Sequence, residues 1–317
     1  MLSLTAAYHP FVSAALNYIR QVYHIPMEMK HTCFPPLFAL HAGDGGLSIN
    51  APKELLKTCL KPMNGKIEFA RFHDYMEAME FAEWHVREQG PLPVQINRRH
   101  HPLDPTPFDI DADQLWMLIE KNGEDQYRFY DPLIEDIMEI SGHQLRKAMD
   151  TPINYDGANG FQPFMTVEFT HAEAAGEAFR THYSNEALIQ KWTQQPYPLE
   201  DNLKAVTMFT EELRSRQKRV HTLKERYGLL ESFQIIRASR ECIDQHVNGM
   251  STNKQAQERF PLWATNASRC SAYLLSYSEE LLQALDEGLR RAVLVECRWI
   301  EHISERYTKY QRYQEYV

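Results

Sequence analysis

The stretch Asp113-Gln114-Leu115-Trp116-Met117-Leu118-Ile119-Glu120, Lys121-Asn122-Gly123-Glu124-Asp125, Gln126-Tyr127-Arg128-Phe129-Tyr130-Asp131-Pro132 decides the fold. An apolar run, a polar turn and an alternating polar-aromatic run read as two strands of a hairpin. Asn122-Gly123 supplies the positive φ that a tight hairpin turn requires. Upstream, Gly90-Pro91-Leu92-Pro93-Val94-Gln95-Ile96-Asn97 is a turn feeding a further short strand. Downstream, a short helix is predicted from Gln144 to Met149. The sheet is thus expected to hold Val94–Asn97, Leu115–Glu120 and Gln126–Tyr130, the last two antiparallel.

Composition shifts between residues 150 and 170. Most prolines, glycines and short apolar runs precede that point, and Thr151 to Gly160 is a turn-rich connector. Phe164-Met165-Thr166-Val167-Glu168-Phe169 alternates as one more strand, which returns to the first sheet. From about His171 the pattern is helical. Leu203, Val206, Phe209, Thr210 and Leu213 share one face, as do Leu229, Phe233, Ile236 and Ile243. Leu274, Leu275, Leu281, Leu282, Leu285, Leu289 and Val293 mark a further pair of helices, with Asn248-Gly249 and Phe260-Pro261 as punctuation. The expected class is α+β: a mixed domain over residues 1–170 and a domain of four to six helices over 171–317.

At 317 residues, 24% charged and 43% hydrophobic, the composition is that of a globular protein. A net charge of −9 argues against nucleic acid as a partner. The one basic cluster, Arg214 to Arg219, is flanked by Glu211 and Glu212 and reads as a solvated helix face. No apolar run approaches a membrane span, and no basic segment precedes an apolar stretch at the N-terminus. Five widely spaced cysteines outside any pair motif fit free thiols in a cytoplasmic protein.

His9-Pro10-Phe11-Val12-Ser13 opens a helix, with Pro10 suited to a first turn whose N–H would be an orphan. Ser13 is a candidate hydroxyl nucleophile one turn in, beside its plainer reading as a packing serine. Cys33 lies in His31-Thr32-Cys33-Phe34-Pro35-Pro36, where a nearby imidazole is available, though a buried free cysteine is usually a core residue. Fourteen histidines follow no metal-ligand spacing, so no metal is expected. His100 and His101 sit in a proline-bearing loop as candidate relocated bases. Gly43-Asp44-Gly45-Gly46 lacks the remainder of a phosphate loop and reads as a turn before Leu47-Ser48-Ile49. Tyr307, Tyr310, Tyr313 and Tyr316 line one side of a terminal helix, a candidate packing or oligomerising stripe.

These segments resemble the papain-like N-terminal domain of the butirosin biosynthesis H family, a relative of cysteine peptidases, over roughly residues 8 to 150. His9 to Asn17 looks like the segment that carries the family cysteine, with Pro10 in the nucleophile's place. Pro26 to Ala42 looks like the second helix and its loop, and Gly90 to Ile96 like the family's Gly-x-Pro-Val strand. Asp113-Gln114-Leu115-Trp116 occupies the place of the catalytic histidine, and Asp131-Pro132 matches the Asp-Pro. The resemblance implies an acyl transfer from a carrier protein's phosphopantetheine thioester. Two of its three catalytic positions hold residues unable to do that chemistry.

The expected function is therefore that of a catalytically degenerate acyltransferase relative, an accessory or binding protein in nonribosomal peptide or polyketide biosynthesis. No cofactor is implied beyond a phosphopantetheine-bound acyl group on a carrier partner. One alternative is an acyltransferase or amide-forming enzyme with a rearranged site using Cys33 or Ser13 with Asp131. Another is a structural protein that oligomerises through its last helix. In the first case Pro10, Phe11, Gln114, Trp116, Phe129 and Tyr130 are expected to line a groove ending at Asp131, with His100 and His101 nearby.

Overall fold

A computed structural model of the chain describes residues 9–33, 40–43, 46–49, 52–100, 114–131, 136–151, 154–155, 160–194, 198–216, 223–247 and 253–315. Along the chain run α1 (Pro10–Tyr23), α2 (Met29–Thr32), β1 (Leu40–Gly43), β2 (Gly46–Ile49), α3 (Pro52–Leu60), β3 (Gly65–Phe72), α4 (Tyr75–Glu88) and β4 (Leu92–Asn97). There follow β5 (Gln114–Lys121), β6 (Gln126–Asp131), β7 (Asp136–Ser141), α5 (Gly142–Met149), β8 (Phe161–Phe169) and α6 (Ala172–His182). The remainder is helical: α7 (Asn185–Gln194), α8 (Leu199–Ser215), α9 (Leu223–His246), α10 (Asn253–Ser276) and α11 (Glu279–Glu315). The class is α+β.

Two compact units divide the chain, and neither is one continuous segment. The first takes residues up to Met29 and Leu56–Arg180; the second takes Lys30–Leu55 and Thr181 onward. The division expected at residue 170 differs from this in two places. Most of α6 joins the mixed unit, and the β1–β2 hairpin joins the helical one, where β2 packs on α9.

The mixed unit is built on a six-stranded antiparallel sheet of order β3-β8-β4-β5-β6-β7. All three strands expected upstream of residue 132 are present. Leu118 faces Tyr130 across the hairpin, and the Asn122 N–H closes it on the Gln126 carbonyl at 2.9 Å. The turn differs from expectation: four residues separate the strands, and neither Asn122 nor Gly123 has positive φ. A four-residue connection is built around an ordinary type I turn and does not need it. The β8 strand returns to the sheet as expected, wedged between β3 and β4, with Val94 opposite Phe164.

Successive strand residues point to opposite faces. Leu92, Val94, Ile96, Leu115, Met117, Ile119, Tyr127 and Phe129 point to one face and are buried with Ala78, Met79 and Ala82 of α4 and Leu145, Ala148 and Met149 of α5. The opposite face, bearing Phe69, Trp116 and Val167, receives α1. There Phe11 packs on Phe69 and Trp116, and the Tyr23 hydroxyl donates to the Val167 carbonyl at 2.8 Å. The helices begin where capping chemistry dictates. Asp74 accepts from the Met76 and Glu77 amides at the start of α4, and Ser141 with Gln144 forms a reciprocal capping box on α5.

In the helical unit the expected apolar stripes hold. Val206, Phe209, Leu213, Leu229, Phe233, Ile236, Leu282, Leu285, Leu289 and Val293 are buried in one core with Trp263, Cys270, Tyr273 and Leu274. Leu275 is the exception, at 73% exposure. Pro261 does not end a helix but lies inside α10. The backbone hydrogen bond it forfeits is local, while the core anchored by Trp263 and Tyr273 beyond it keeps the helix in place. The second helix expected between Pro26 and Ala42 is a single turn, α2.

Candidate functional site

The start of α1 is the segment that the sequence resemblance singles out. His9 caps the helix, its Nδ1 accepting the Phe11 N–H at 3.0 Å, so this imidazole nitrogen is occupied by the backbone. Pro10 follows, and the next ring, Phe11, lies edge-on to Trp116 with centroids 5.5 Å apart and stacks on Phe69 at 6.4 Å. Phe69 and Trp116 themselves meet at 6.1 Å. Trp116 thus brings an indole, not an imidazole, from β5 to the first turn of α1. No thiol, hydroxyl or unshared base is among these groups.

Ser13 points into the protein and has no exposed surface. Asn17, one turn on, donates to the Ser13 carbonyl at 2.9 Å and approaches its hydroxyl at 3.4 Å. This is helix packing chemistry, and a substrate has no path to the hydroxyl.

The register separates the residues expected to line one groove. Tyr130 pairs with Leu118 and shares the α1 face with Trp116, and both are buried. Phe129 and Asp131 lie one residue either side of Tyr130 and point to the opposite face, which bears α4 and α5. Asp131 is 2% exposed and not without an interacting partner, as a buried carboxylate requires. Sequence order places it beside Trp116, but the pleat of the sheet places the two on different faces. Gln114 opens β5 opposite Asn97. His100 closes a short 3-10 turn that follows β4 and touches α5, whereas His101 and Pro132 lie outside the described residues.

Cys33 belongs to the other unit. Its carbonyl accepts the Trp192 indole N–H at 3.0 Å, and its thiol meets Cys242 and Ser239 of α9. Burial, reinforced by Cys242, holds the thiol well above the ordinary cysteine range. The neighbouring His31 turns its ring toward Tyr183, centroids 5.7 Å apart. Cys33 thus belongs to a different unit from Ser13 and Asp131, and its setting opposes a thiolate. All five cysteines are free and buried. Among the described residues no group of three or more histidine, cysteine or acidic side chains could hold a metal, and no helix is long and apolar enough to cross a membrane. Tyr307 of the tyrosine stripe is buried, its hydroxyl taking a bond from Gln311 at 3.0 Å.

Two polar clusters escaped the sequence reading. In the mixed unit His85 is buried, with Nδ1 against the Gly90 carbonyl at 3.2 Å and Nε2 against the Tyr18 hydroxyl at 3.4 Å. Burial pushes this imidazole below its usual range and Tyr18 above its own. In the helical unit Arg240 pairs with Glu296 at 2.8 and 3.3 Å, and the Trp263 indole donates to the same carboxylate at 2.8 Å. Arg259 pairs with Asp244 at 2.7 Å and lies 3.7 Å above the Trp299 ring. The signal was present: Arg240 sits four residues after Ile236 and three before Ile243, on the apolar stripe itself. A charge in such a place must find a buried partner.

No family model and no curated protein matches the chain.

Proposed function

We propose that this chain is a catalytically degenerate relative of the papain-like acyltransferases, acting as a binding or accessory protein in a natural-product pathway. The observation that carries this reading is the first turn of α1. The resemblance puts Pro10 at the nucleophile's place and Asp113-Gln114-Leu115-Trp116 at the histidine's, and Trp116 packs against Phe11 and Phe69. Fold alone does not assign chemistry, and Pro10, Phe11, Phe69 and Trp116 supply neither an attacking atom nor a proton acceptor. The rearranged-enzyme reading loses support with the burial of Ser13 and of the Cys33 thiol. The partner would be a carrier domain bearing an acyl-phosphopantetheine, or an enzyme of the same pathway. Free cysteines suit a reducing cytoplasm.

Two measurements on the same preparation test this. Acyl transfer from an acyl-pantetheine thioester to an amine is expected to stay at the uncatalysed rate, while an acyl-carrier domain binds saturably. Turnover above background that disappears in Cys33→Ala or Ser13→Ala would overturn it.

A further inference from the structure

On the α4–α5 face of the sheet, a cleft of about 300 Å³ is lined by Tyr75, Met76, His143, Arg146, Lys147 and Asp150. Leu145, Ala148 and Met149 bury one side of α5 in the core, which turns His143, Arg146 and Lys147 outward. Their spacing of three and four residues puts all three on neighbouring positions of one helix face. None forms an ion pair among the described residues, whereas Lys66, Arg87, Lys121 and Arg128 of the same unit each have a carboxylate within 4 Å. Cations near the end of α5 complement its dipole, which accounts for Arg146 and Lys147 in the last turn. It does not account for their facing, with His143, a concave surface walled by apolar groups. Tyr75 and Met76, at the first turn of α4, are 39% and 49% exposed.

We propose that this cleft is a binding site for a small phosphate monoester, gripped by His143, Arg146 and Lys147, with its organic part against Tyr75 and Met76. A guanidinium fork satisfies two oxygens at once, and an ammonium and an imidazole add donors for a third. A phosphate monoester presents three terminal oxygens and close to two negative charges to this set of donors, against the two oxygens and single charge of a carboxylate. Asp150, the C-cap of α5, also lines the cleft and accepts the Tyr155 hydroxyl at 2.9 Å. It repels a second anionic group and offers an acceptor to a hydroxyl or amine on the ligand. The volume stands at the low end of small-molecule sites, which fits a phosphate with a few carbons attached. The site lies on the other face of the sheet from the start of α1 and does not depend on the function proposed there.

Calorimetric titration of the full chain with phenyl phosphate at low ionic strength, beside inorganic phosphate and benzoate, tests the assignment. Saturable 1:1 binding of phenyl phosphate is expected, tighter than inorganic phosphate and at least about tenfold tighter than benzoate. Arg146→Gln with Lys147→Gln should weaken it at least about tenfold, with the melting temperature falling only by the few degrees that the lost helix-dipole contacts cost. Asp150→Asn removes a negative charge and keeps the Tyr155 contact, so it should tighten binding several-fold. This second variant decides the matter even if the first is unstable. Equal binding of benzoate, wild-type affinity in the double variant, no tightening in Asp150→Asn, or no saturable heat would each overturn the proposal.

Discussion

Replacing Arg240 by Met tests whether the buried ion pair of the helical unit is coupled to its stability as its geometry requires. Arg240 and Glu296 are 3% and 1% exposed, and the guanidinium supplies two of the three hydrogen bonds reaching that carboxylate from described side chains. With Arg240→Met the Trp263 N–H at 2.8 Å remains, and Arg259 acts on Glu296 only electrostatically. Removing one partner of such a pair costs about 3–5 kcal/mol, because the other charge stays buried without compensation. At about 2–4 °C per kcal/mol for a unit of this size, the melting temperature of the helical unit should fall by roughly 10 °C. Urea unfolding followed by tryptophan fluorescence suits the question, since Trp263 itself bonds the stranded carboxylate. The double variant Arg240→Met with Glu296→Leu should recover most of the loss, since an apolar pair of similar volume needs no desolvated charge. A single variant costing less than about 1 kcal/mol, or a double variant no more stable than the single, would refute the reasoning.

Three further outcomes are expected. A thiol reagent at neutral pH should label Cys33 slowly, because burial holds its thiol well above the ordinary range; rapid labelling confined to Cys33 would restore it as a candidate nucleophile. Acidification should destabilise the mixed unit through His85, whose folded imidazole titrates below its usual value. The unfolded imidazole takes its proton first, so this stability is complete above about pH 6.5 and is lost as pH falls through the lower folded value; melting curves between neutral and mildly acidic pH should show a smaller slope in His85→Gln. Gly160→Ala should cost roughly 1–3 kcal/mol in urea unfolding, since φ is +89° and an added Cβ would lie 2.6 Å from the Phe72 carbonyl oxygen; an unchanged midpoint would contradict this backbone geometry.

The sheet was legible where pairing is local. The strands Leu115–Glu120 and Gln126–Tyr130 announce themselves by composition and by the turn between them. The wedging of β8 between β3 and β4 joins segments far apart in sequence, and no periodicity encodes it. Strand β7, Asp136-Ile137-Met138-Glu139-Ile140-Ser141, went unread because apolar residues at 137, 138 and 140 fit a helical period as well as an alternating one. The start of α1 was legible as lacking a nucleophile, but not as closed, because Phe69 arrives from a strand about sixty residues on. The face of Asp131 follows from parity alone: in a regular strand it cannot share a side with Tyr130. The basic face of α5 drew no reading from the sequence, because the wall it faces comes from α4, far back along the chain.

The interleaving of the two units bears on the order in which the chain can mature. During synthesis residues 30–55 emerge early, yet the helix α9 that receives β2 is made only after the whole mixed unit. The β1–β2 hairpin must wait unpacked on the nascent chain, since an isolated two-stranded ribbon is marginal in water. A fragment ending at residue 170 would carry this orphan hairpin permanently and lack α6 altogether. A fragment beginning at 171 would lack the strands that cover α9. Neither half is an independent folding module, so shuffling either into another protein by a single cut would expose apolar surface on both sides of the cut.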